Sequence, residues 1–450
     1  MTLFTRAVAQ NFRLLFARCV AGRPRGPAPP VVIQIRGGTR TLAATTSEGV
    51  ALMHTAPASE EPDDLLVLPA TMLAEVEGGT DEEVTLDREA GLRGAVRWHG
   101  GGRPRALPVE LILPGRQHEL AAPPALAPVP ARLLAALHEC GRTAAREGGR
   151  FALSKVQIQG KSGRVVGTDG KVALLWRGFD FPFPDDVLVP SLPVFGAKPL
   201  ARITEGKIGR SATHLIVGAG PWSVWLPTDT RGKYPDVAGV VPRAAPTTVV
   251  IDESDAAALL PVLPGLPGGD HELRPVTLDT DNGVHVRGQT ERAEEDCETR
   301  DVLLAHSTAS GPAARAVLDR RVVARALALG CHTLRLAPDK PVAFEGRDVA
   351  LVAAQLDPAL RVPPPADAAH TRPTNPERRQ PMKPETNDHT PPRGDPGDPL
   401  ELAEELRAAL ADAATKAARL VAALRQGKKE KKVLSALMDN LKQLNLGGTS

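Results

Sequence analysis

The sequence predicts an α+β protein in which three similar domains follow one another along the chain, with a linker and a helical tail after them. Three observations lead to this prediction. A strand–turn–strand pattern occurs three times at intervals of about 120 residues, a helical pattern precedes and follows each copy, and segments rich in Pro and Ala separate the copies. The 450 residues are enough for several domains, and 42% of them are hydrophobic, so each unit can form a packed core.

The first unit, assigned to residues 1–122, begins with a helical pattern from Thr5 to Val20. No Asp or Glu occurs before Glu48, which is also typical of a transit peptide. We favour an ordinary first helix, because a Pro-rich turn and a strand pattern follow it directly. The rest of the unit is predicted as strands within residues 31–52 and a helix over residues 68–76.

The second and third units repeat this order over residues 123–245 and 246–361. In each, a helical pattern comes before a hairpin pattern, and a second helix follows. Asp-Gly and Asn-Gly pairs mark the hairpin turns, because Gly accepts a positive φ at no steric cost. The predicted helices span residues 130–145, 189–197, 252–263 and 318–329, and the predicted hairpins span residues 156–174 and 276–290.

After Arg361 the composition changes. Residues 362–399 are polar and rich in Pro, and we predict a disordered linker because so few apolar residues cannot offset the entropy lost on ordering. Residues 400–446 show two helical patterns separated by Gly427, each with Leu or Ala at spacings of three and four. They predict a helical hairpin or a coiled coil. Its apolar seam needs a partner, which is its other half, another copy of the chain or a different protein.

Composition and motifs argue against most enzyme classes. The formal net charge of +2 excludes a global basic field, so any nucleic-acid footprint is local. The Gly160–Ser162 triplet imitates a phosphate-binding loop but lies in a hairpin pattern, and residues Asp279 to Gly283 imitate a calcium loop that lacks its closing Glu. We predict a binding or tethering protein without cofactor or metal, and keep an unrecognised enzyme as a rival interpretation.

The cysteines and the hydropathy indicate a cytoplasmic protein. Cys19, Cys140, Cys297 and Cys331 are far apart and are predicted to be buried reduced thiols. His138 beside Cys140, and His332 beside Cys331, are expected to be packing residues rather than metal ligands. No apolar run reaches the length of about 18 residues that a membrane helix needs.

Several segments resemble the bacterial DNA polymerase sliding clamp, the β subunit of the replicative polymerase. The segment GTDGKVAL (167–174) is similar to A-T-D-G-H-R-L-A, a signature of that family's second domain. The segment TRGKYPDVAGVVP (230–242) is similar to the family pattern L-I-D-G-x-[FY]-P-D-Y-x-x-V-[IL]-P. Residues 274–296 look like the opening strands of the third clamp domain, and residues 21–35 resemble the turn after the first clamp helix. The resemblance covers residues 1–361.

The resemblance implies three clamp-type domains, each with two helices packed on antiparallel sheets, that together form half of a ring. Two copies would close head to tail around duplex DNA as a homodimer that does not contact membranes. Basic side chains facing the DNA would neutralise phosphates without reading sequence. The implied DNA-contacting residues are Arg13, Arg23, Arg150, Phe151, Lys198, Arg202, Arg320, Arg321 and Arg325.

In that family the T-D-G turn lines an apolar cleft between the second and third domains, which takes short peptides of DNA polymerases and clamp-loader subunits. Carried over residue by residue, the cleft comprises Leu153, Thr168, Gly170, Lys171, Val172, Pro242, Val352 and Leu356. The sequence departs from the family pattern at two places. Residues 352–356 read VAAQL in place of M-P-x-R-L, and Lys171-Val172 replaces His-Arg.

The function implied by the resemblance is that of a DNA sliding clamp, a polymerase processivity factor that also tethers repair proteins. The helical tail is an addition to the family pattern. It leaves open a second interpretation, in which a clamp-fold scaffold has lost DNA tethering and acts as an interaction protein through its tail.

Overall fold

The computed structural model describes residues 1–20, 27–58, 61–89, 91–147, 151–242, 244–290 and 298–364. The chain divides into two compact units, Met1–Arg372 and Pro373–Ser450, and the second lies outside the described residues. The predicted helical tail (400–446) and all but the first residues of the predicted linker (362–399) therefore also lie outside them. At the start of that linker, Val362 is buried and its N–H donates to Thr277 Oγ1 at 2.8 Å, so the folded part extends slightly further than predicted.

The helices of the described residues form three packed pairs, α1 with α2, α3 with α4, and α5 with α6. Side chains of Thr5, Asp252 and Asp319 accept hydrogen bonds from the first turns of α1, α5 and α6, which is why these helices begin where they do. The helices are α1 Arg6–Ala17, α2 Thr71–Val76, α3 Arg132–Thr143, α4 Lys198–Ala201, α5 Glu253–Val262 and α6 Arg320–Ala328.

The helix predicted over residues 189–197 is wrong. A strand continues to Pro190, one 3-10 turn spans Pro193–Gly196, and α4 begins only at Lys198. Proline causes the shift, because Pro193 can occupy the first position of a helical turn but not its interior.

Twenty-five strands are described, and every pairing between them is antiparallel. They are β1 Thr2–Thr5, β2 Val31–Arg36, β3 Thr39–Thr45, β4 Ala51–Pro57, β5 Asp64–Leu68, β6 Glu83–Arg88, β7 Arg93–Gly100, β8 Arg103–Glu110, β9 Ala127–Pro130, β10 Lys155–Gln159, β11 Arg164–Thr168, β12 Val172–Trp176, β13 Asp186–Pro190, β14 Glu205–Arg210, β15 His214–Ala219, β16 Trp222–Pro227, β17 Thr247–Val250, β18 Pro275–Asp279, β19 His285–Gln289, β20 Thr299–Leu303, β21 Thr308–Ser310, β22 Arg315–Asp319, β23 Thr333–Leu336, β24 Val342–Glu345 and β25 Val349–Ala353.

The strands form four sheets, and their connectivity repeats three times. In each repeat the first strand and the last three make a first half-sheet, and four of the strands between them make a second half-sheet. In the third repeat a fifth intervening strand, β21, pairs with β17 instead. The first half-sheets are β1-β6-β7-β8, β9-β14-β15-β16 and β17-β23-β24-β25, and the second half-sheets are β5-β2-β3-β4, β13-β10-β11-β12 and β22-β18-β19-β20. The predicted boundaries at 122/123 and 245/246 stay predictions; they fall in the connections between repeats.

Neighbouring repeats are joined through these half-sheets. Strand β4 pairs with β16 to make a sheet of eight strands, and β12 pairs with β25 to make a sheet of nine, to which β21 adds the extra edge strand. We call these two pairings the internal joints. The half-sheets that end in β8 and in β20 remain separate sheets of four strands.

One large hydrophobic core lies between the helices and the sheets. Phe12 of α1, Leu133 of α3 and Phe344 of β24 are almost fully buried in it. Cys19, Cys140 and Cys331 are buried free thiols, as predicted, whereas Cys297 lies outside the described residues. Among the described helices none is long and apolar enough to cross a membrane.

Candidate peptide cleft and nucleic-acid interface

The turn between β11 and β12 is held in one conformation by side-chain hydrogen bonds. Thr168 Oγ1 donates to the Val172 carbonyl at 2.7 Å and accepts from the Gly170 N–H at 3.1 Å. Asp169 Oδ1 accepts from the N–H groups of Lys171 and Val172 at 2.8 and 2.7 Å. Gly170 has a φ of 93°, which a residue with a side chain adopts only under strain. The turn therefore requires the Thr-Asp-Gly sequence and exposes Gly170 and Lys171 to solvent.

This turn lies at the end of the internal joint between β12 and β25. Val352 of β25 is the partner of Ala173 in the register, and the Ala354 N–H donates to the Lys171 carbonyl at 2.9 Å. A Cβ on Gly170 would lie 3.8 Å from Leu153 Cδ1. The structure thus brings together six of the eight predicted cleft residues: Leu153, Thr168, Gly170, Lys171, Val172 and Val352.

The second motif, residues 230–242, packs on the same strands. The Tyr234 hydroxyl donates to the carbonyls of Lys155 and Val166 at 3.4 and 3.3 Å, and Val237 is buried. A small apolar cluster results, separate from the main core. Its buried members are Val166, Ala173, Leu175, Val237, Ala343 and Val352, and Tyr234, Ala238 and Val241 pack against them. The next residue, Pro242, is half-buried beside this cluster.

A groove of about 550 Å³ opens beside the turn, between the end of α3 and the beginning of α6. Asp169, Val172 and Leu351 line one side of it. The other side is lined by Arg142, Thr143, Ala144, Ala145 and Arg146 after α3 and by Asp319, Arg321, Val322 and Arg325 at α6. The groove therefore combines charged side chains from α3, α6 and the turn with the apolar residues Val172, Val322 and Leu351.

Leu356, the eighth predicted cleft residue, lines a different depression. Its N–H donates to the Val317 carbonyl at 2.8 Å, and it borders a hollow of about 790 Å³ together with Pro246, Ala314 and Lys340. Among the eight predicted cleft residues, Val172 lines the groove at the T-D-G turn, and the other seven, Leu356 included, are not among its lining residues. The chain turns onto β22 after β25, so the end of the motif moves away from the groove.

Glu139 links α3 to α6 across the joint between the second and third repeats. It accepts from Arg142 Nη1 at 2.9 Å and from Arg325 Nε at 3.0 Å. Burial opposes ionisation of this carboxyl group, but the two guanidinium groups outweigh it and hold its pKa below the usual range. The pair joins residues 186 positions apart, and no sequence motif pointed to it.

The predicted DNA-contacting residues lie at helices of all three repeats. Arg13 of α1 pairs with Glu77, and Arg321 of α6 pairs with Asp319, its Nε lying 3.0 Å from Oδ2. Lys198 begins α4 and Arg202 follows it, and both are exposed. Phe151 is 40% exposed. Arg23 and Arg150 lie outside the described residues.

Arg320 is a correction to the predicted set. Its side chain is 2% exposed, and its guanidinium donates to the carbonyls of Leu266, Pro267, Arg274 and Pro275. A guanidinium that is buried and satisfied in this way cannot reach a phosphate. Arg320 instead ties the start of α6 to the loop after α5. The next residue, Arg321, points outward because helix neighbours face different directions.

The candidate metal motifs contain packing residues. Burial raises the pKa of the Cys140 thiol above its usual range, and its Sγ donates to the Val165 carbonyl at 3.5 Å. Burial lowers the pKa of the neighbouring His138. Within the described ranges, no three His, Cys, Asp or Glu side chains come together as a metal site.

Several solved structures are similar to this chain. The DNA polymerase III subunit beta from Pseudomonas aeruginosa matches with a TM-score of 0.63 and 18% sequence identity, over 79% of this chain and 100% of that one. The pol III beta of Caulobacter crescentus matches with a TM-score of 0.63 and 15% identity, over 79% and 100%. The beta subunit from Thermotoga maritima matches with a TM-score of 0.60 and 13% identity, over 79% and 98%.

At these identities the likeness shows the fold: the chain has the fold of bacterial sliding clamps, as the sequence motifs predicted. No protein-family model matches the sequence, and no curated protein matches it. The clamp fold is thus recognisable from the structure and from two short motifs, but not from overall sequence similarity.

Proposed function

We propose that this protein is a DNA sliding clamp: two copies close head to tail into a ring around duplex DNA, and the ring tethers polymerases or repair proteins without catalysing a reaction. The clamp fold supports the proposal. The observation that carries it is the pattern of joints between half-sheets, because that pattern leaves one joint-forming edge without a partner in the first repeat and one in the third.

The rule of the internal joints specifies the partner of each open edge. In both joints, the third strand of a second half-sheet (β4 or β12) pairs with the last strand of the next repeat's first half-sheet (β16 or β25). Strand β20 is the third strand of the last second half-sheet, and β8 is the last strand of the first half-sheet. The same rule therefore pairs β20 of one copy with β8 of another. Each such pairing makes a sheet of eight strands, and two of them close a dimer.

Charge on the helices supports the role of DNA. Phosphate contacts position a protein on the duplex without specifying sequence, and they make binding salt-dependent. We propose that Arg13, Lys198, Arg202, Arg321 and Arg325, together with Phe151, Arg23 and Arg150, face the DNA. Arg320 is left out because it is buried. Topological enclosure retains DNA even where single contacts are weak, so the paired arginines need not bind tightly.

The groove beside the T-D-G turn supports the role of peptides. Val172 and Leu351 lie in its lining together with four arginines, and Gly170 leaves the adjacent turn without a side chain. We propose that short segments of DNA polymerases and clamp-loader subunits bind here through apolar anchor residues.

The test is retention on DNA that has no ends. The full chain is incubated with nicked circular duplex DNA, half of the sample is then linearised, and bound protein is separated by gel filtration in high salt. A clamp stays on circles and slides off linear DNA. Equal retention on both, or loss from both, would contradict enclosure.

A charge variant and its control test the DNA face. Lys198→Glu with Arg202→Glu should reduce retention on circles by about tenfold, because two phosphate contacts become repulsive. Arg36→Glu with Lys207→Glu makes the same charge change on exposed strand residues and should leave retention unchanged. Equal loss in both variants would indicate non-specific attraction instead of a DNA-facing surface.

One observation favours the alternative, a clamp-fold scaffold that acts through its tail. Arg13, Arg321 and Arg325 are each already paired with a carboxylate, which lowers the positive charge offered to DNA. Under this alternative, protein without residues 363–450 would lose its partner proteins, while neither form would stay on circular DNA. Under the proposed function, the shortened chain still stays on circles.

A further inference from the structure

The outer edge of β8 offers fewer hydrogen-bond donors than a strand edge normally does. Successive residues of an antiparallel strand turn their N–H groups alternately to one neighbour and to the other. Just after β8, the Leu111 N–H donates to the Leu92 carbonyl at 2.6 Å, so odd-numbered residues face β7. Pro104, Ala106, Pro108 and Glu110 therefore face the open edge. Because Pro has no N–H, two of these four positions present a carbonyl and no donor.

The internal joints differ from this edge. In the first, β4 pairs with β16 over residues 51–54 and 222–225, and in the second, β12 pairs with β25 over residues 172–176 and 349–353. None of these paired residues is proline. The ladder of the first joint even continues beyond the paired residues, since the Thr55 N–H donates to the Pro221 carbonyl at 2.9 Å.

Strand β9 shows what edge prolines normally do. It is the outermost strand of the eight-stranded sheet, and Pro128 and Pro130 occupy alternate positions in it. The rule of the joints assigns no partner to that edge, and prolines on such an edge prevent uncontrolled pairing with other chains. On β8, prolines also lie along the open edge, but the rule of the joints pairs that edge with β20 of a second copy.

We propose that β8 pairs with β20 of a second copy through the N–H groups of Ala106 and Glu110, and that Pro104 and Pro108 weaken this pairing. The ring would therefore open at this contact. The proposal rests on the proposed ring. Strand β20 contains no proline, so every residue of its open edge keeps its N–H group. Its Leu303 side chain is 56% exposed and can be buried by a second copy. The ring then opens at β8 while the internal joints stay closed.

The test restores the missing donors. The variant Pro104→Val with Pro108→Val adds two N–H groups to the open edge of the full chain. The matched control, Pro128→Val with Pro130→Val, adds two N–H groups to β9. Ala106→Pro removes a remaining donor from β8. Dimer dissociation constants come from analytical ultracentrifugation, and opening rates come from subunit exchange between chains labelled for energy transfer.

The β8 variant should lower the dimer dissociation constant by about tenfold and slow exchange to a similar degree, because each added bond contributes a factor of several. Ala106→Pro should raise the constant several-fold, and the β9 variant should change neither quantity. The single variants Pro104→Val and Pro108→Val replace the double variant if the double variant fails to fold, as judged by its thermal melt.

Two results would overturn the proposal while leaving the clamp function in place. In the first, wild type forms dimers that stay on circular DNA, but the β8 and β9 variants have equal dimer dissociation constants. The second is assembly of the β8 variant beyond two chains, which would show that its prolines only block open-ended pairing. By contrast, the proposed function itself would be contradicted if wild type and all variants stayed monomeric and none of them stayed on circular DNA.

Discussion

The internal joints and the open edges occupy equivalent places in the repeated topology, yet their residues differ. At the joint between β12 and β25 nearly all residues of both strands are buried, and they are apolar on both faces of the sheet. On β8, by contrast, six of the eight residues are exposed, and β20 is exposed or half-buried throughout. Burial on both faces fixes a strand permanently, whereas a polar edge with prolines supports contacts that form and dissociate. In the proposed ring, the same fold element would serve as a permanent connection inside the chain and as a reversible one between two copies.

The largest expected effect comes from weakening an internal joint. Leu351 of β25 is fully buried and is the partner of Leu174 in the register of the joint. Leu351→Ala should lower the free energy of unfolding by about 3 kcal/mol, because it removes buried methyl groups and leaves a cavity. Urea unfolding followed by tryptophan fluorescence at low chain concentration measures the change.

The control for this prediction lies on the open edge. Leu303→Ala removes the same atoms from β20, where the side chain is 56% exposed, and should change the free energy of unfolding by less than about 0.5 kcal/mol. If the two variants lost equal stability at low concentration, the distinction between joint and edge would be wrong.

A smaller effect is expected at the ion pair that spans the joint. Glu139→Gln leaves Arg325 without its carboxylate partner. The pair is largely buried, since the Arg325 side chain is 20% exposed and the Glu139 side chain is 14% exposed. The loss should be about 1–2 kcal/mol. Glu77→Gln is the control, because the Arg13 and Glu77 side chains are 41% and 33% exposed and such pairs contribute less than about 0.5 kcal/mol.

The pH dependence of the same variant has a definite sign. The pKa of Glu139 is lowered in the folded protein from an ordinary value of 4.5, so ionised Glu139 stabilises the fold above that value. This stabilisation is lost as the pH falls from 4.5 through the folded pKa. The stability difference between wild type and Glu139→Gln should therefore be constant above pH 4.5 and shrink below it. A difference that grows on acidification would show that the pair does not stabilise the joint.

The sequence predicted the elements that local rules determine. The Asn282-Gly283 turn has the positive φ values that this pair allows, and five of the six helices lie within the predicted ranges. The T-D-G turn was predicted as the turn of a hairpin. Its hydrogen bonds, such as that from Thr168 to Val172, join residues close together in the sequence.

What the sequence did not predict depends on contacts between distant residues. Burial of Arg320 follows from carbonyls of the loop after α5 and of residues 274–275, so a helix pattern alone could not distinguish it from Arg321. Arg132, which pairs with Asp348 at 2.6 Å, also bridges repeats, and neither residue stands in a motif. The joints themselves were missed because strand pairing between repeats leaves no periodic signal.

The smallest predicted effect compares two glycines with positive φ, one at the end of a joint and one far from it. Gly170 (φ 93°) lies in the T-D-G turn, and Gly37 (φ 55°) lies in the turn between β2 and β3, where a Cβ would have open space. Gly170→Ala and Gly37→Ala should each lower the free energy of unfolding by about 1 kcal/mol, because Ala is strained in this backbone conformation. A short fluorescent peptide with two Leu and one Phe as anchors should bind the Gly170→Ala variant about tenfold more weakly, which corresponds to about 1.4 kcal/mol. It should bind Gly37→Ala as it binds wild type, since Gly37 lies in a different repeat, whereas Asp169, the neighbour of Gly170, lines the groove. Equal peptide affinity in both variants, measured by fluorescence anisotropy, would show that the end of the joint is a structural turn and not a binding site.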